Sequence, residues 1–242
     1  TNNSNVGGLI GTVIGTSELT VNGADIDQSN LTISGTGSTL GAGGAIGLLN
    51  GSNHDLSHIN VTQTSITSAS QSGGLIGYAN QASATLALDL IDITDSTISS
   101  SISDNASGAG GLFGVVNGYD VDMTNINVSS DIVSSSNSNA GGLAAVVTST
   151  ALIDLDGVTI DGSTVSINGS GTTLGAGGVV GLLNGDNHVL DNIDVIDTEI
   201  TSASLSGGVI GYANQATSSI SLSSVSVGGT STVTTSISNA LS

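Results

Sequence analysis

The chain carries one sixteen-residue phrase twice: "TLGAGGAIGLLNGSNH" at residues 39–54 returns as "TLGAGGVVGLLNGDNH" at 173–188. Repetition at a fixed offset restricts a fold more than local propensity does, because every copy must find the same surroundings. A Gly-Gly pair followed by small apolar residues marks the repeat. It occurs at Gly7-Gly8, Gly43-Gly44, Gly73-Gly74, Gly110-Gly111, Gly141-Gly142, Gly177-Gly178 and Gly207-Gly208. Successive spacings are 36, 30, 37, 31, 36 and 30 residues, so long and short units alternate and the pattern recurs every 134 residues. "LTVNGADIDQSNLTISGTGSTLGAGG" from Leu19 lies without a gap against "IDLDGVTIDGSTVSINGSGTTLGAGG" from Ile153. An eighth pair would fall near residue 244, so the chain reads as one segment of a longer array.

Each unit has three parts: the GG-x-x-G core, an alternating stretch such as "DLSHINVTQ", and a Ser-rich edge with one aliphatic, as in "SITSAS". Leu56, Ile59, Val61 and Ile66 recur as Leu190, Ile193, Val195 and Ile200. Alternation of apolar and polar residues gives a strand one face for a core and one for water. A unit of this length cannot bury its apolar face alone, whereas stacked units can. Glycine pairs suit corners where coils approach closely. The expected fold is therefore all-β: a parallel β-solenoid of seven coils of about 30–37 residues. Residues 1–242 form a single array with units starting near 7, 43, 73, 110, 141, 177 and 207. At ~4.8 Å per coil, seven coils stand about 35 Å tall.

Composition removes the competing classes. Gly, Ser, Thr and Asn are poor helix interiors, while hydrophobic residues at 37% are too plentiful and too regular for disorder. Lys, Arg, Pro and Cys are absent, and the net charge is −19. Nothing can then neutralise phosphates, which excludes a nucleic-acid partner, and nothing attracts anionic lipid. No run approaches the ~18 apolar residues of a membrane helix, so direct membrane insertion is not expected. Trypsin has no cutting site, which suits life outside the cell.

The recurring "GGLIG", "GGAIG", "GGLFG", "GGVVG" and "GGVIG" resemble the glycine-rich GLUG repeat of large bacterial surface proteins, among them IgA-cleaving metallopeptidases and adhesin-like proteins. The resemblance covers all seven units. Unit five departs from it, with Ala145 in place of the third glycine, and the long units exceed the usual family spacing. It implies an extracellular, cell-surface repeat stalk or adhesive array and names no ligand.

No catalytic or metal constellation emerges. A zinc peptidase needs two His one helical turn apart with a Glu between. His54 and His58 are four apart, but in a strand and turn, and His58 becomes Asn192 at the next copy; the simpler reading makes His54, His58 and His188 exposed turn residues. Paired carboxylates are the better enzyme signal. Candidates are Asp89, Asp92 and Asp95; Asp120 and Asp122; Asp154, Asp156 and Asp161; and Asp191, Asp194 and Asp197. Glycan hydrolysis needs two carboxylates across a cleft, with sugar-stacking aromatics nearby, and the aromatics are only Tyr78, Tyr119, Tyr212 and Phe113. These Asp read as the solvated face of strands. "DLDG" at 154–157 resembles a calcium loop without its later ligands, and the other copy reads "TVNG"; weak calcium adsorption is all it supports. Thr62-Gln63-Thr64 is replaced by Ile196-Asp197-Thr198, so no ice-binding ladder persists there. Tyr78 and Tyr212, at equivalent places, read as corner residues covering the solenoid edge. Sequons at Asn2, Asn30, Asn60, Asn105, Asn127 and Asn168 are no more than chance supplies in such a composition.

The reading that results is a non-catalytic extracellular structural repeat protein: a stalk, adhesin array or self-assembling fibre without cofactors. Its expected partners are other copies end to end or flanking repeats of the same chain, with surface glycans a further candidate. The alternative is a glycan-active β-helix enzyme using paired Asp, for instance within "DNIDVID" at 191–197.

Overall fold

A computed structural model describes residues 4–37, 39–148, 151–169, 171, 173–185, 187–214 and 219–236, all of it strand and turn. The strands pair in parallel, layer on layer, and each layer is one turn of a solenoid. Three walls result. A glycine wall stacks Val6–Gly7, Gly41–Gly43, Gln71–Gly73, Gly108–Gly110, Asn139–Gly141, Gly175–Gly177 and Leu205–Gly207. A hydroxyl wall stacks Asn30–Ile33, Ser65–Ser68, Thr97–Ser100, Ile132–Ser135, Thr164–Ile167, Glu199–Ser202 and Thr232–Thr235. The third wall has a short and a long arm per layer, such as Ile46–Leu49 and His54–Thr62; in layers three and four they fuse into Ile76–Thr94 and Phe113–Ser129. The expected seven-turn β-solenoid is the fold.

Register sets like on like. One inward column runs Leu56, Leu88, Met123, Leu155, Leu190, and the next runs Ile59, Ile91, Ile126, Val158, Ile193. All ten are buried, inside a core between the two arms. A second core lies between Ala42, Ala109, Ala140 and Ala176 of the glycine wall and Ile66, Ile98, Val133, Val165 and Ile200 of the hydroxyl wall. Burying each such side chain contributes about 1.5–3 kcal/mol, and only stacking makes the burial available.

The long arm is not a plain alternation. In His54–Thr62 the buried residues are 54, 56, 59 and 61, because His58 has φ of 54° and inverts the alternation midway. Every layer carries this one-residue kink in register, at Gly23, His58, Leu90, Asn125, Gly157, Asn192 and Ser224. Leu90, reading inward in "LALDLIDITD", is thereby 42% exposed. The glycine shared by "DLDG" and "TVNG" is explained too: Gly157 and Gly23 occupy this kink, with φ of 77° and 90°.

Unit lengths alternate chiefly at one corner. Long layers leave the hydroxyl wall through the seven-residue connections 34–40, 101–107 and 168–174; short ones use 69–70, 136–138 and 203–204.

The Gly-Gly pair answers two different crowding demands. A methyl group on the first glycine (Gly43, Gly73 or Gly110, for example) would collide with the carbonyl oxygen three residues on, where the chain doubles back. On the second glycine (Gly44, Gly74, Gly111, Gly142 or Gly178) it would collide with the carbonyl of the same glycine in the next layer. The third glycine faces the layer before: a methyl on Gly47 would come 2.6 Å from Val6 N, and on Gly211, 2.5 Å from Ala176 N. Ala145, the departure in unit five, is tolerated opposite a glycine; a methyl on Gly108 would lie 2.8 Å from its Cβ.

Candidate functional site

The histidines need correction. His54 and His188 are 2% and 1% exposed, not surface residues, because both open a long arm pointing inward. Nδ1 of His54 accepts the Leu19 N–H at 3.0 Å, and Nδ1 of His188 accepts the Ile153 N–H at 3.2 Å. Each pins the start of the long arm one layer back, which fixes the Nε2–H tautomer. Burial holds the His54 pKa below its usual value, opposed by the Gly51 backbone and Glu18. His58 is exposed on the opposite face, so the four-residue spacing brings no pair together. Among the described residues no group of three or more His, Asp or Glu could hold a metal.

The carboxylate candidates lie along the outer face of the long arms, with Asp95 and Asp197 just past their ends. Asp92, Asp95, Asp120, Asp122, Asp154, Asp156 and Asp197 are exposed, and Asp89, Asp161, Asp191 and Asp194 half-buried. Several are tied to amides one layer away: Asn60 Nδ2 donates to Asp25 at 2.7 Å, and Asn125 Nδ2 to Asp89 at 2.9 Å. The Asn125 and Thr124 hydrogen bonds hold the Asp89 carboxyl below its usual range. Asp120, Asp122 and Asp154 share a shallow depression of about 270 Å³ with Thr85, Leu86, Ala87, Val121 and Leu152, without an aromatic side chain. Within "DNIDVID", Asp191 and Asp194 fall on either side of the Asn192 kink, in different columns.

Tyr78 is 8% exposed and packs with Val115, Ala145, Val146 and Leu182 on the outside of the short arms, with Tyr212 beside this cluster. Both lie within strands of the short arms, Ile76–Thr94 and Ile210–Ala213, rather than at the expected corner. Tyr119 is fully buried; its hydroxyl donates to Gly51 O at 2.7 Å and accepts the Gly51 N–H at 3.0 Å. Thr62 faces outward and Thr64 inward, so the Thr62-Gln63-Thr64 stretch makes no surface pair. Of the sequons, Asn30, Asn60, Asn105 and Asn168 are exposed and Asn127 half-buried; Asn2 lies outside the described residues.

Thr64 opens an internal column. Thr64, Ser96, Asp131, Ser163 and Thr198 are each 1–2% exposed, at the corner between long arm and hydroxyl wall. The hydroxyls of Thr64, Ser96, Ser163 and Thr198 donate to the carbonyl two residues back. Two of them also accept an N–H from a neighbouring layer: Ser96 Oγ from Thr64 N at 3.2 Å and Ser163 Oγ from Asp131 N at 3.3 Å. Asp131 replaces the hydroxyl in one layer. Its Oδ1 accepts the Ser96 N–H at 2.5 Å, while its buried Oδ2 has no partner. Burial pushes its pKa up to about 7, moderated by the Ser96 N–H and reinforced by Asp95. No charge pattern in the chain singles it out; aligning units on the residue after the corner would have placed it among hydroxyls.

The end layers differ from the interior. Among the described residues, a methyl on Gly208 would meet only the Val227 side chain, at 3.1 Å and beyond, and one on Gly11 only Asn5 O, at 3.4 Å. Leu9, Ile14, Leu222, Val227 and Val233 are 46–65% exposed, all in the first or last layer. Among the described residues, no further strand pairs with the outer side of the first or the last layer.

These features define a parallel β-solenoid repeat protein. In comparisons with family models, with curated proteins and with solved structures, nothing matches the chain.

Proposed function

We propose that the chain is a structural array of a secreted or cell-surface protein, of the GLUG-repeat kind, whose work is to stack coils into a stalk, adhesive array or fibre. The observation that carries this reading is the stacking itself. The second glycine of each interior pair admits no side chain because the carbonyl of the same glycine in the next layer lies against it, and the apolar columns run unbroken from layer to layer. A chain whose interior layers are each built to be covered by a like layer suits a stalk, array or fibre. An acidic exterior without Lys or Arg supports an extracellular setting, since it gives trypsin no cutting site and colloidal repulsion to each rod. A glycan-active role gains no specific observation, because the carboxylates spread over an open face.

Immunogold electron microscopy of native cells tests this. Label on rods or fibres outside the envelope, with a ~4.8 Å layer line along their axis, is the expected result. Label confined to the cell interior would overturn the extracellular reading.

A further inference from the structure

We propose that Gln71 and Ser107 close an ester cross-link, made by the chain itself with release of ammonia, that ties the third layer of the solenoid to the fourth.

Both residues sit where the hydroxyl wall turns into the glycine wall. Gln71 opens the strand Gln71–Gly73, and Ser107 is the last residue of the long connection 101–107, one layer on. Gln71 is 1% exposed and Ser107 0%, so water is kept from both. Ser72 pairs with Ala109, which sets Gln71 opposite Gly108 and beside Ser107. The cluster breaks the repeat. Leu40 and Leu174 hold the place of Ser107 in the other two long connections, and Leu205 holds the place of Gln71 in the next block. Connections 34–40 and 168–174 carry no carboxylate, whereas 101–107 carries Asp104.

Three polar side chains surround the Gln71 carboxamide. Its Nε2 donates to Ser107 Oγ at 3.2 Å, which holds that oxygen against the group. Ser107 Oγ donates in turn to Asp104 Oδ2 at 3.3 Å, while Asp104 Oδ1 accepts the Ala106 N–H at 2.9 Å and is oriented by it. Ser70 Oγ, itself buried, donates to Gln71 Oε1 at 2.6 Å and also faces the carbonyls of Gly37 and Leu40. These supply a nucleophile, its base, an acyl carbon and a donor at the oxygen where negative charge develops. The single Ser70 proton has three acceptors in the amide, and a developing oxyanion is the strongest of them.

Rotation about the Gln71 Cγ–Cδ bond, a broad torsion, turns the face of Cδ towards Ser107 Oγ. Oγ then bonds to Cδ and gives its proton to Asp104, and the carbonyl electron pair moves to Oε1 under the Ser70 hydroxyl. As the carbonyl re-forms, the Cδ–Nε2 bond breaks, Asp104 passes the proton to the nitrogen, and ammonia leaves. Nothing is oxidised or reduced, and no cofactor enters. The ester closes one full turn of the solenoid, 71–107, into a covalent ring, and its burial shields it from hydrolysis.

The test is the intact mass of the folded full chain, read after denaturation. The expected mass is one ammonia below that of the sequence, with a peptic digest that yields one joined pair of peptides containing Gln71 and Ser107, which hydroxylamine separates. Ser107→Ala and Gln71→Leu, each checked for folding by circular dichroism, should keep the full mass of their own sequences. Asp104→Asn, followed from cell-free synthesis, should close the ester about a hundredfold more slowly than the parent. A folded parent chain of full mass would overturn the proposal. So would an ammonia loss that persists in Ser107→Ala, which would assign it to cyclisation at an Asn-Gly pair such as Asn117-Gly118. Closure at the parent rate in Asp104→Asn would overturn the role of Asp104 as the base.

Discussion

Replacing Gly111 by Ala sets the same chemical change against Gly208→Ala at an equivalent repeat position, so the two variants isolate what a neighbouring layer contributes. The methyl of Gly111→Ala would collide with Gly142 O and lie 2.8 Å from Val128 Cγ1. Backbone on one side and a packed core on the other leave no flexible group to yield. Relief requires layers four and five to part, yet they are joined there by Gly111 N to Gly141 O at 3.1 Å and Leu112 N to Leu143 O at 2.7 Å. Overpacking costs about 1–3 kcal/mol, and each backbone bond lost adds about 1 kcal/mol, so about 3–5 kcal/mol is expected. Gly208→Ala meets only the Val227 side chain at 3.1 Å, and its effect should stay within about 1 kcal/mol. Because layers can open separately, the readout is hydrogen exchange by segment alongside denaturant unfolding by circular dichroism. Protection should fall in layers three to five for Gly111→Ala and hardly change for Gly208→Ala. Equal losses in both variants would refute the claim that the adjacent layer makes the second glycine necessary.

The buried titratable groups give two opposed pH responses. Asp131 titrates near 7 in the fold against 3.8 when solvated, so its stabilising contribution is full below about pH 3.8 and is lost as pH rises towards 7. The shift corresponds to about 4 kcal/mol. Asp131→Ser, which restores the hydroxyl of Ser96 and Ser163, should remove that slope in denaturant titrations; parallel pH curves for variant and parent would refute the assignment. His54 runs the other way. Its pKa is depressed in the fold, so stability is full above 6.5 and falls as pH drops below it. His54→Gln should flatten that acid limb, with the Leu19 amide as the local exchange probe, and an unchanged limb would count against a neutral buried imidazole.

Much of this architecture is legible in the residues, because the Gly-Gly spacing counts layers and solenoid register follows repeat register. The alternation of long and short units maps onto one corner for the same reason: inserted residues can only leave the stack where no wall holds them. What periodicity misreads is side-chain direction around the kink. Leu90 belongs to an apolar run and points to water, since one residue of positive φ shifts every later residue to the other face. His54 and His188 read as turn residues because the corner before them is polar, yet each is the first inward position of an arm. Asp131 stays hidden among many acidic residues until its layer neighbours, all hydroxyls, are placed beside it.

The alternation of unit lengths has a mechanical consequence. Each layer adds only ~4.8 Å of height while storing 30 to 37 residues of chain. Hydrogen bonds between layers run along the axis, so tension applied there peels coils one at a time from an end. Each release of a long unit yields about 120 Å of contour and each short unit about 100 Å, at ~3.4 Å per residue. A tethered array of this kind would act as a graded shock absorber: it lengthens more than twentyfold, layer by layer, at ~3.4 Å per released residue, before the fully extended backbone itself is strained.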